Sequence, residues 1–245
     1  MHNEFNEFQQ PIGPVVPDWR APPIPSREPM EGRYCRLEAL DPDRHAISLF
    51  ASNSLDTRGV NWTYLPYGPF ASFGEYREWL EKQAISCDPL FFAIVDRMTD
   101  EAVGVASYMD IRPKNGSIEV GHINFSPRLQ RTRAATEAMV LMMARAFDSG
   151  YRRYQWKCNA LNAPSRAAAQ RLGLSYEGTF RQATVVKGRS RDSAWYAAID
   201  SEWPALREAF KIWLERANFD ERGKQRICLS TLTKKRGEMV GDVVA

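Results

Sequence analysis

Histidine is scarce in this chain, and cysteine is nearly as sparse. The residues concerned are His2, His45 and His122, together with Cys35, Cys87, Cys158 and Cys228. Their spacing fits no zinc-site pattern, and a metal cluster or a serine triad would have little histidine to draw on. Widely scattered cysteines are typical of reduced thiols. We therefore expect free cysteines and no metal site.

Long apolar runs and a dominant charge are also lacking. No segment approaches the length that a bilayer-spanning helix needs, and the first residues have no apolar signal-peptide core. The 33 basic and 30 acidic residues leave a net charge of +3, too small to indicate a general nucleic-acid partner. We expect a cytoplasmic protein with no membrane and no nucleic-acid partner. Short basic clusters, at Lys187, Arg189 and Arg191 and over 234–236, keep a nucleic-acid-associated module as a rival.

The composition is otherwise that of a globular protein, with 44% hydrophobic and 26% charged residues over 245 positions. That length supports one substantial core. Seven prolines within residues 1–31 exclude a helix or a central strand there, so we predict an extended arm that lies on the domain or hangs free. A folded domain is predicted over 32–217. Residues 218–245 form a C-terminal extension with weak periodicity.

The apolar pattern predicts an α/β (α+β) fold with a mixed, mostly antiparallel sheet. Strands are predicted near 34–40, 90–95, 102–108, 118–125, 153–158, 176–186 and 189–199. Helices are predicted from Asp41, over 73–86, over 134–147, ahead of Leu172 and from Ser201 to about Arg216. Lys187 and Gly188 form a tight turn between the last two strands.

An aromatic segment over 61–70 lies between the first two predicted helices. Two prolines and a glycine break it, so it is predicted to be a loop. Its rings, among them Trp62, Tyr64 and Tyr67, either cover the core or form a wall of a substrate pocket. Both interpretations stay open, because different rings can serve either purpose.

A basic turn follows the strand that ends at Phe125. Residues 130–136 place two arginines and a row of backbone N–H groups at the start of an apolar helix, where the helix dipole favours an anion. A phosphate-bearing ligand is one interpretation of this turn. The other is a solvated basic turn in front of a core helix.

Four motifs in this order resemble the GNAT superfamily of acyl-CoA N-acyltransferases, in particular the branch with ribosomal-protein N-terminal acetyltransferases. They are Ile118-Glu119-Val120-Gly121, Ala135-Thr136-Glu137-Ala138, Asn162-Ala163-Pro164-Ser165 and Arg171-Leu172-Gly173-Leu174. The resemblance implies the GNAT fold, with a splayed sheet flanked by helices. It also implies transfer of an acetyl group from acetyl-CoA to a primary amine, either a protein N-terminus or a small molecule.

The resemblance also assigns residues to acetyl-CoA. For the pyrophosphate it implies Gln130, Arg131, Thr132, Arg133, Ala134, Ala135 and Thr136. Backbone groups of Phe125 are implied for the pantetheine arm, and Asn159 and Asn162 for pantetheine or substrate. Asn162 is equally a helix N-cap by itself. Arg133 departs from the family pattern, which has glycine there so that the backbone can approach the phosphates.

Two residues are implied for catalysis by direct amine attack in a ternary complex. Glu119 is the candidate base, unless it only pairs with a nearby cation, and Ser165 is the candidate acid, unless it only bonds within its helix. Strict alternation puts Glu119, Gly121, Ile123 and Phe125 on one face and His122 on the other. His122, the second-choice base, therefore shares the site only if a bulge intervenes. Tyr64, Tyr67 and Tyr196 are alternative acids.

The predicted substrate-binding residues are Trp62, Tyr64, Tyr67 and His122. A rival from another class is a non-catalytic acyl-CoA-binding sensor or assembly protein, which the altered loop at Arg133 motivates. The acceptor amine and the acyl chain length stay open, as does the assembly, although homodimers are common among the proteins that this chain resembles.

Overall fold

The computed structural model of the chain describes residues 4–234. The strands are β1 (Glu4–Phe5), β2 (Pro11–Ile12), β3 (Met30–Glu31), β4 (Cys35–Ala39), β5 (Leu90–Asp96), β6 (Ala102–Arg112), β7 (Ser117–Phe125), β8 (Arg153–Asn159), β9 (Ser175–Val186) and β10 (Arg189–Ile199). The α-helices are α1 (Pro42–Asn53), α2 (Phe73–Ala84), α3 (Arg133–Asp148), α4 (Ala163–Arg171), α5 (Trp203–Leu214) and α6 (Leu229–Thr233). The basic run over 234–236 lies outside the described residues beyond Lys234.

Eight of these strands form one sheet in the order β3-β4-β5-β6-β7-β8-β10-β9. Every neighbouring pair is antiparallel except β7 and β8. The predicted fold class is confirmed. Lys187 and Gly188 join β9 to β10, and both have positive φ, as a two-residue hairpin turn of the primed type requires. The two-residue strands β1, β2 and β3 were not predicted.

The sheet splays open between β7 and β8. Their pairing starts at Ser117 and Arg153 and stops at Val120 and Trp156, although both strands continue. Beyond that point β7 stays bonded to β6, and β8 stays bonded to β10. Each strand thus follows a different neighbour, and the twist of the sheet separates them. The gap between the two strand edges is a candidate place for an extended ligand.

Helices cover both faces of the sheet. We call the face under α1 and α2 the front face, and the face under α3, α4 and α5 the back face. Along β5, Phe91, Ala93 and Val95 enter the front core, whereas Leu90, Phe92 and Ile94 enter the back core. Alternation along a strand buried on both sides produces this division.

The proline-rich segment lies along the domain next to β3. The Tyr151 hydroxyl donates a hydrogen bond to the Pro23 carbonyl, and the Arg145 guanidinium donates to the Pro29 carbonyl. Met30 and Glu31 then pair with β4 at the sheet edge. Of the two arrangements open from sequence, the structure shows the arm attached over these residues.

The described part of the C-terminal segment packs into the back core. Leu229 is fully buried, and Phe219 packs edge-to-face on Trp213. The Asn218 side chain holds the turn, donating to the carbonyls of Trp213 and Ile227 and accepting from the Ile227 N–H. Weak helical periodicity over these residues thus accompanies ordered packing. Within residues 4–234, no helix combines the length and apolarity needed to cross a bilayer.

Candidate active site

A β-bulge in β7 brings two titratable side chains to one face. Val105 pairs with Asn124 and Ser107 with Gly121, so two residues of β7 stand opposite one residue of β6. His122 has a φ of 50°, which takes up the extra residue. The predicted strict alternation is therefore wrong at this point.

The bulge redistributes the side chains around it. His122 now packs on Phe91 of the front core, on the same face as Glu119. Ile123 and Phe125 instead pack against the back core, opposite to the face predicted for them. Gly121 stays beside Glu119, and any side chain there would collide with Met109, because a Cβ would lie 2.3 Å from the Met109 Sδ.

Glu119 is the buried carboxylate at the start of the splay. Glu119 is 3% exposed. Its Oε2 forms an ion pair with the Lys157 Nζ at 2.6 Å. Burial raises the pKa of Glu119 to about 7, with Lys157 opposing that rise. Lys157 also contacts Asp110 at 3.3 Å and lies 4.4 Å from the ring centroid of Trp195. A carboxylate with this pKa suits proton transfer near neutrality.

His122 and Tyr67 form a stacked pair next to this carboxylate. The Tyr67 hydroxyl lies 3.2 Å from the His122 Nδ1, and the two rings are nearly parallel. Burial, assisted by the nearby charge of Arg191, lowers the pKa of His122 to about 4. The imidazole is thus neutral at physiological pH. Burial also raises the pKa of Tyr67, which keeps its hydroxyl protonated.

The aromatic loop over 61–70 bridges the mouth of the splay. Tyr64 donates from its hydroxyl to the Leu161 carbonyl, just beyond the end of β8. From the tip of the β9–β10 hairpin, the Lys187 ammonium donates to the carbonyls of Trp62 and Gly68, at 2.8 and 2.7 Å. The Trp62 ring is buried in the front core. The core-covering interpretation therefore holds for Trp62, and the substrate-pocket interpretation stays a prediction for the other rings.

Ser165 lies on the other side of the splay, in the first turn of α4. Its Oγ accepts a hydrogen bond of 3.0 Å from the Trp156 indole N–H, and its hydroxyl also lies within hydrogen-bond reach of the Cys158 thiol. Cys158 lies nearby on the back face, where burial raises the pKa of its thiol. A thiol of this kind is a poor nucleophile.

The end of β7 offers backbone and side-chain groups to the splay. The Ser126 N–H donates to the Val103 carbonyl, so the alternation of the ladder turns the Phe125 carbonyl away from β6. That carbonyl accepts hydrogen bonds from Asn61 at 3.2 Å and Gln130 at 2.8 Å. Asn124 is 2% exposed, and neither side-chain atom has a partner. Buried polar atoms without partners mark a place where a polar ligand group fits.

The N-terminus of α3 lies just beyond β7. Thr132 is the N-cap, and its Oγ1 accepts from the Ala135 N–H. The N–H groups of Arg133 and Ala134 head the helix, where no preceding turn can accept them. Arg131, with a φ of 60°, is the left-handed residue of this turn, whereas Arg133 is already helical. An ordinary residue therefore fits at position 133, and these free donors suit a pyrophosphate.

The side chain of Arg133 points to the C-terminal segment. Its guanidinium carbon lies 4.8 Å from the Tyr34 ring centroid and 4.7 Å from that of Phe219. Ala135 and Thr136 continue the first turn, and the Thr136 hydroxyl accepts a hydrogen bond from Arg171.

Asn159 and Asn162 both serve the local backbone with their side-chain oxygens. Asn159 accepts from the Leu161 N–H, and Asn162 caps α4 by accepting from the Ser165 N–H at 3.2 Å. Asn162 is therefore an N-cap, as one of its two interpretations predicted. Within residues 4–234 neither amide nitrogen donates a hydrogen bond, so both are available to a ligand.

Three further residues on the front face of the splay, Lys157, Arg191 and Trp195, were not among the predicted site residues, although the hairpin near Arg191 was expected to shape the pocket. Each lies on a predicted strand, and alternation from the apolar Cys158 and Ala194 would have placed them on the face opposite the back core. What the pattern could not provide is that β8 and β10 lie next to β7. Asn61, which reaches Phe125 from a loop, had no periodic pattern to reveal it.

We expect Arg133→Glu to weaken binding of CoA by about 5- to 30-fold, because a carboxylate in the first turn of α3 repels the pyrophosphate. Arg133→Gln should have a smaller effect, since it only removes the distant positive charge. Isothermal titration with CoA at two salt concentrations measures both, and the loss should shrink at high salt. Arg207→Glu on α5 is the control, and equal CoA affinity in all four proteins would remove Arg133 from the site.

Comparisons with known proteins agree with this geometry. A family model described as an acetyltransferase (GNAT) domain matches residues 36–175. A solved GCN5-related N-acetyltransferase from Brucella melitensis is 45% identical, with a TM-score of 0.87, and the match covers 89% of this chain and 99% of that one. A probable GNAT-family acetyltransferase from Chromobacterium violaceum is 39% identical, with a TM-score of 0.75 and coverage of 80% and 98%.

A more distant solved structure is an acetyltransferase from Salmonella typhimurium that modifies the N-terminal serine of ribosomal protein L7/L12. It is 23% identical with a TM-score of 0.60, and the match covers 70% of this chain and 99% of that one, which supports a common fold. A search of curated proteins returned no match. The matched domain, the 45% identity over most of the chain and the splayed sheet together place this protein in the GNAT acetyltransferase family.

Proposed function

We propose that the protein transfers an acetyl group from acetyl-CoA to a primary amine by direct attack in a ternary complex. Membership of the GNAT family supports acyl transfer. The observation that carries the finer proposal is Glu119, a carboxylate 3% exposed at the splay, whose pKa is raised to about 7 by burial.

Acetyl-CoA supplies an activated thioester when it is bound. The residues fit such a ligand, because α3 presents free N–H groups for the pyrophosphate and the buried side chain of Asn124, near the end of β7, has no hydrogen-bond partner. Gln130 and Asn61 would have to share or release the Phe125 carbonyl if the pantetheine arm uses that group.

Glu119 would accept the proton of the attacking amine, directly or through water. Lys157 holds the carboxylate ready by favouring its charged form, which keeps the pKa of Glu119 from rising further. Ser165, whose oxygen accepts the Trp156 N–H, would pass its hydroxyl proton to the departing thiolate and take a replacement proton from water. His122, neutral and stacked on Tyr67, would form part of the acceptor wall.

The test combines binding and turnover. Isothermal titration should detect CoA binding, and incubation with acetyl-CoA should release free thiol in the presence of a suitable amine. The amine panel should contain short peptides with free N-termini and small primary amines. Failure to bind CoA would overturn the proposal. Tight binding without thiol release for any amine would favour the rival, a non-catalytic acyl-CoA-binding protein.

A further inference from the structure

Arg191 is a cation of the front wall without a protein partner. Ala194 and Tyr196 of β10 enter the back core, so alternation puts Arg191 and Trp195 on the front face. Arg191 is partly buried, and its Nε is buried without a hydrogen-bond acceptor. Among residues 4–234, no carboxylate forms a salt bridge with its guanidinium.

The position of Arg191 is at the open end of the splay. Ser193 pairs with Asn159, the last residue of β8, so Arg191 lies just past the point where β8 ends. The charge of Arg191 acts on Glu119, His122 and Cys158, which lie on both sides of the gap. The guanidinium therefore belongs to the group of charged side chains around the splay that also includes Glu119.

The other charged groups around Glu119 are already matched. Lys157 pairs with both Glu119 and Asp110, and Asp110 also accepts from Arg112. Trp195 adds a second donor without an acceptor, because its buried indole N–H has no hydrogen-bond partner. The same strand face thus presents two donors that lack acceptors, one of them charged. Leaving such groups unpaired costs free energy, which a ligand bearing an anion would recover.

We propose that Arg191 binds a carboxylate of the acceptor, so that the acceptor is an amine with a carboxylate close to its amino group, as in a free amino acid. A planar guanidinium matches a carboxylate through two parallel hydrogen bonds. The thioester carbonyl is neutral and offers a weaker partner for this cation. A peptide N-terminus has an amide where an amino acid has its carboxylate. The inference rests on the proposed function and selects among its acceptors.

The experiment compares matched acceptors with and without the anion. Thiol release from acetyl-CoA is measured for a panel of free amino acids and for the carboxamide of each. The wild-type protein should use at least one amino acid with a kcat/KM about 10- to 1,000-fold above that of its carboxamide, as expected for a desolvated charge pair. Arg191→Gln should abolish this preference through a higher KM for the amino acid, with the carboxamide little changed. Arg191→Lys should retain part of it.

Arg189→Gln is the control, because this exposed arginine lies two residues away on the same strand. It should leave the preference intact. Equal use of amino acids and carboxamides by the wild type would overturn the inference while the proposed function stands. So would an equal loss for both acceptor types in Arg191→Gln, which would assign Arg191 to a step common to all acceptors. If none of the amines tested causes thiol release, the proposed function is overturned, and the inference with it.

Discussion

Glu119→Gln should lower kcat by about 10²- to 10⁴-fold, which is the range that loss of a general base produces. The amide keeps the size of the side chain but cannot accept the proton of the amine. Binding of CoA should change little, because Glu119 lies on the front face at the start of the splay, away from the N-terminus of α3. The measurement is single-turnover and steady-state thiol release, with CoA titration beside it.

The pH profile separates this role from a structural one. With a pKa of about 7 in the free protein, the Glu119 carboxyl is protonated below that pH and cannot act as a base, so kcat/KM should fall tenfold per pH unit on the acidic side. Lys157→Met removes the ammonium that favours the charged carboxylate, so the acidic limb should move to higher pH. The acceptor should be a weakly basic amine, which stays neutral throughout and does not add its own ionisation.

A matched control is Glu78→Gln, which changes an exposed glutamate on α2 in the same way. It should keep the wild-type rate and pH profile. A Glu119→Gln protein that is folded, binds CoA and retains both the wild-type kcat and its acidic limb would remove Glu119 as the base. The interpretation left for Glu119 would then be the ion pair with Lys157 alone.

Glu137→Ala should lower the free energy of unfolding by about 2–3 kcal/mol, since it leaves one buried and two partly buried N–H donors without their acceptor. The carboxylate accepts three backbone N–H groups, from Arg33 at 2.8 Å, Tyr34 at 2.6 Å and Cys35 at 2.8 Å. It thereby joins α3 to the turn between β3 and β4. The contact is close, because a Cβ at Gly32 would lie 2.5 Å from this carboxylate.

Urea unfolding followed by circular dichroism measures the loss, with an unchanged dependence on denaturant showing that the same surface unfolds. Glu137→Gln should cost less than the alanine variant, because the amide oxygen still accepts. An exposed control on the same helix is Asp148→Asn, whose effect should stay within about 0.5 kcal/mol. Equal stabilities for Glu137→Ala and the control would show that the three N–H groups find water instead.

The regular part of the fold could be predicted because its apolar spacing follows one period for long enough. The meander of β5, β6 and β7 and the buried helix α3 are examples. The short strands β1 to β3 could not be predicted, since two residues carry no period and prolines surround them. The packing of 218–234 depends on tertiary contacts, such as those of Asn218, rather than on a repeating pattern.

The candidate site was predictable only where a motif marked it. Glu119 and Ser165 came from the resemblance, but the face of His122 depended on one extra residue in β7 that alternation cannot show. Arg191 and Lys157 are ordinary basic residues on strands in the sequence. Their chemistry arises from which strands the topology places side by side and from burial, neither of which a single sequence states.

The hairpin turn at Lys187 is a position at which the protein can be redesigned. One flexible side chain joins the tip of β9 and β10 to two carbonyls of the aromatic loop, and within residues 4–234 no other hydrogen bond joins these two segments. The Lys187 ammonium is thus the hydrogen-bonded link between the aromatic loop and the hairpin tip. On the proposed function, a shorter or neutral side chain at this position would remove that link and admit bulkier amines without changing Glu119 or Ser165.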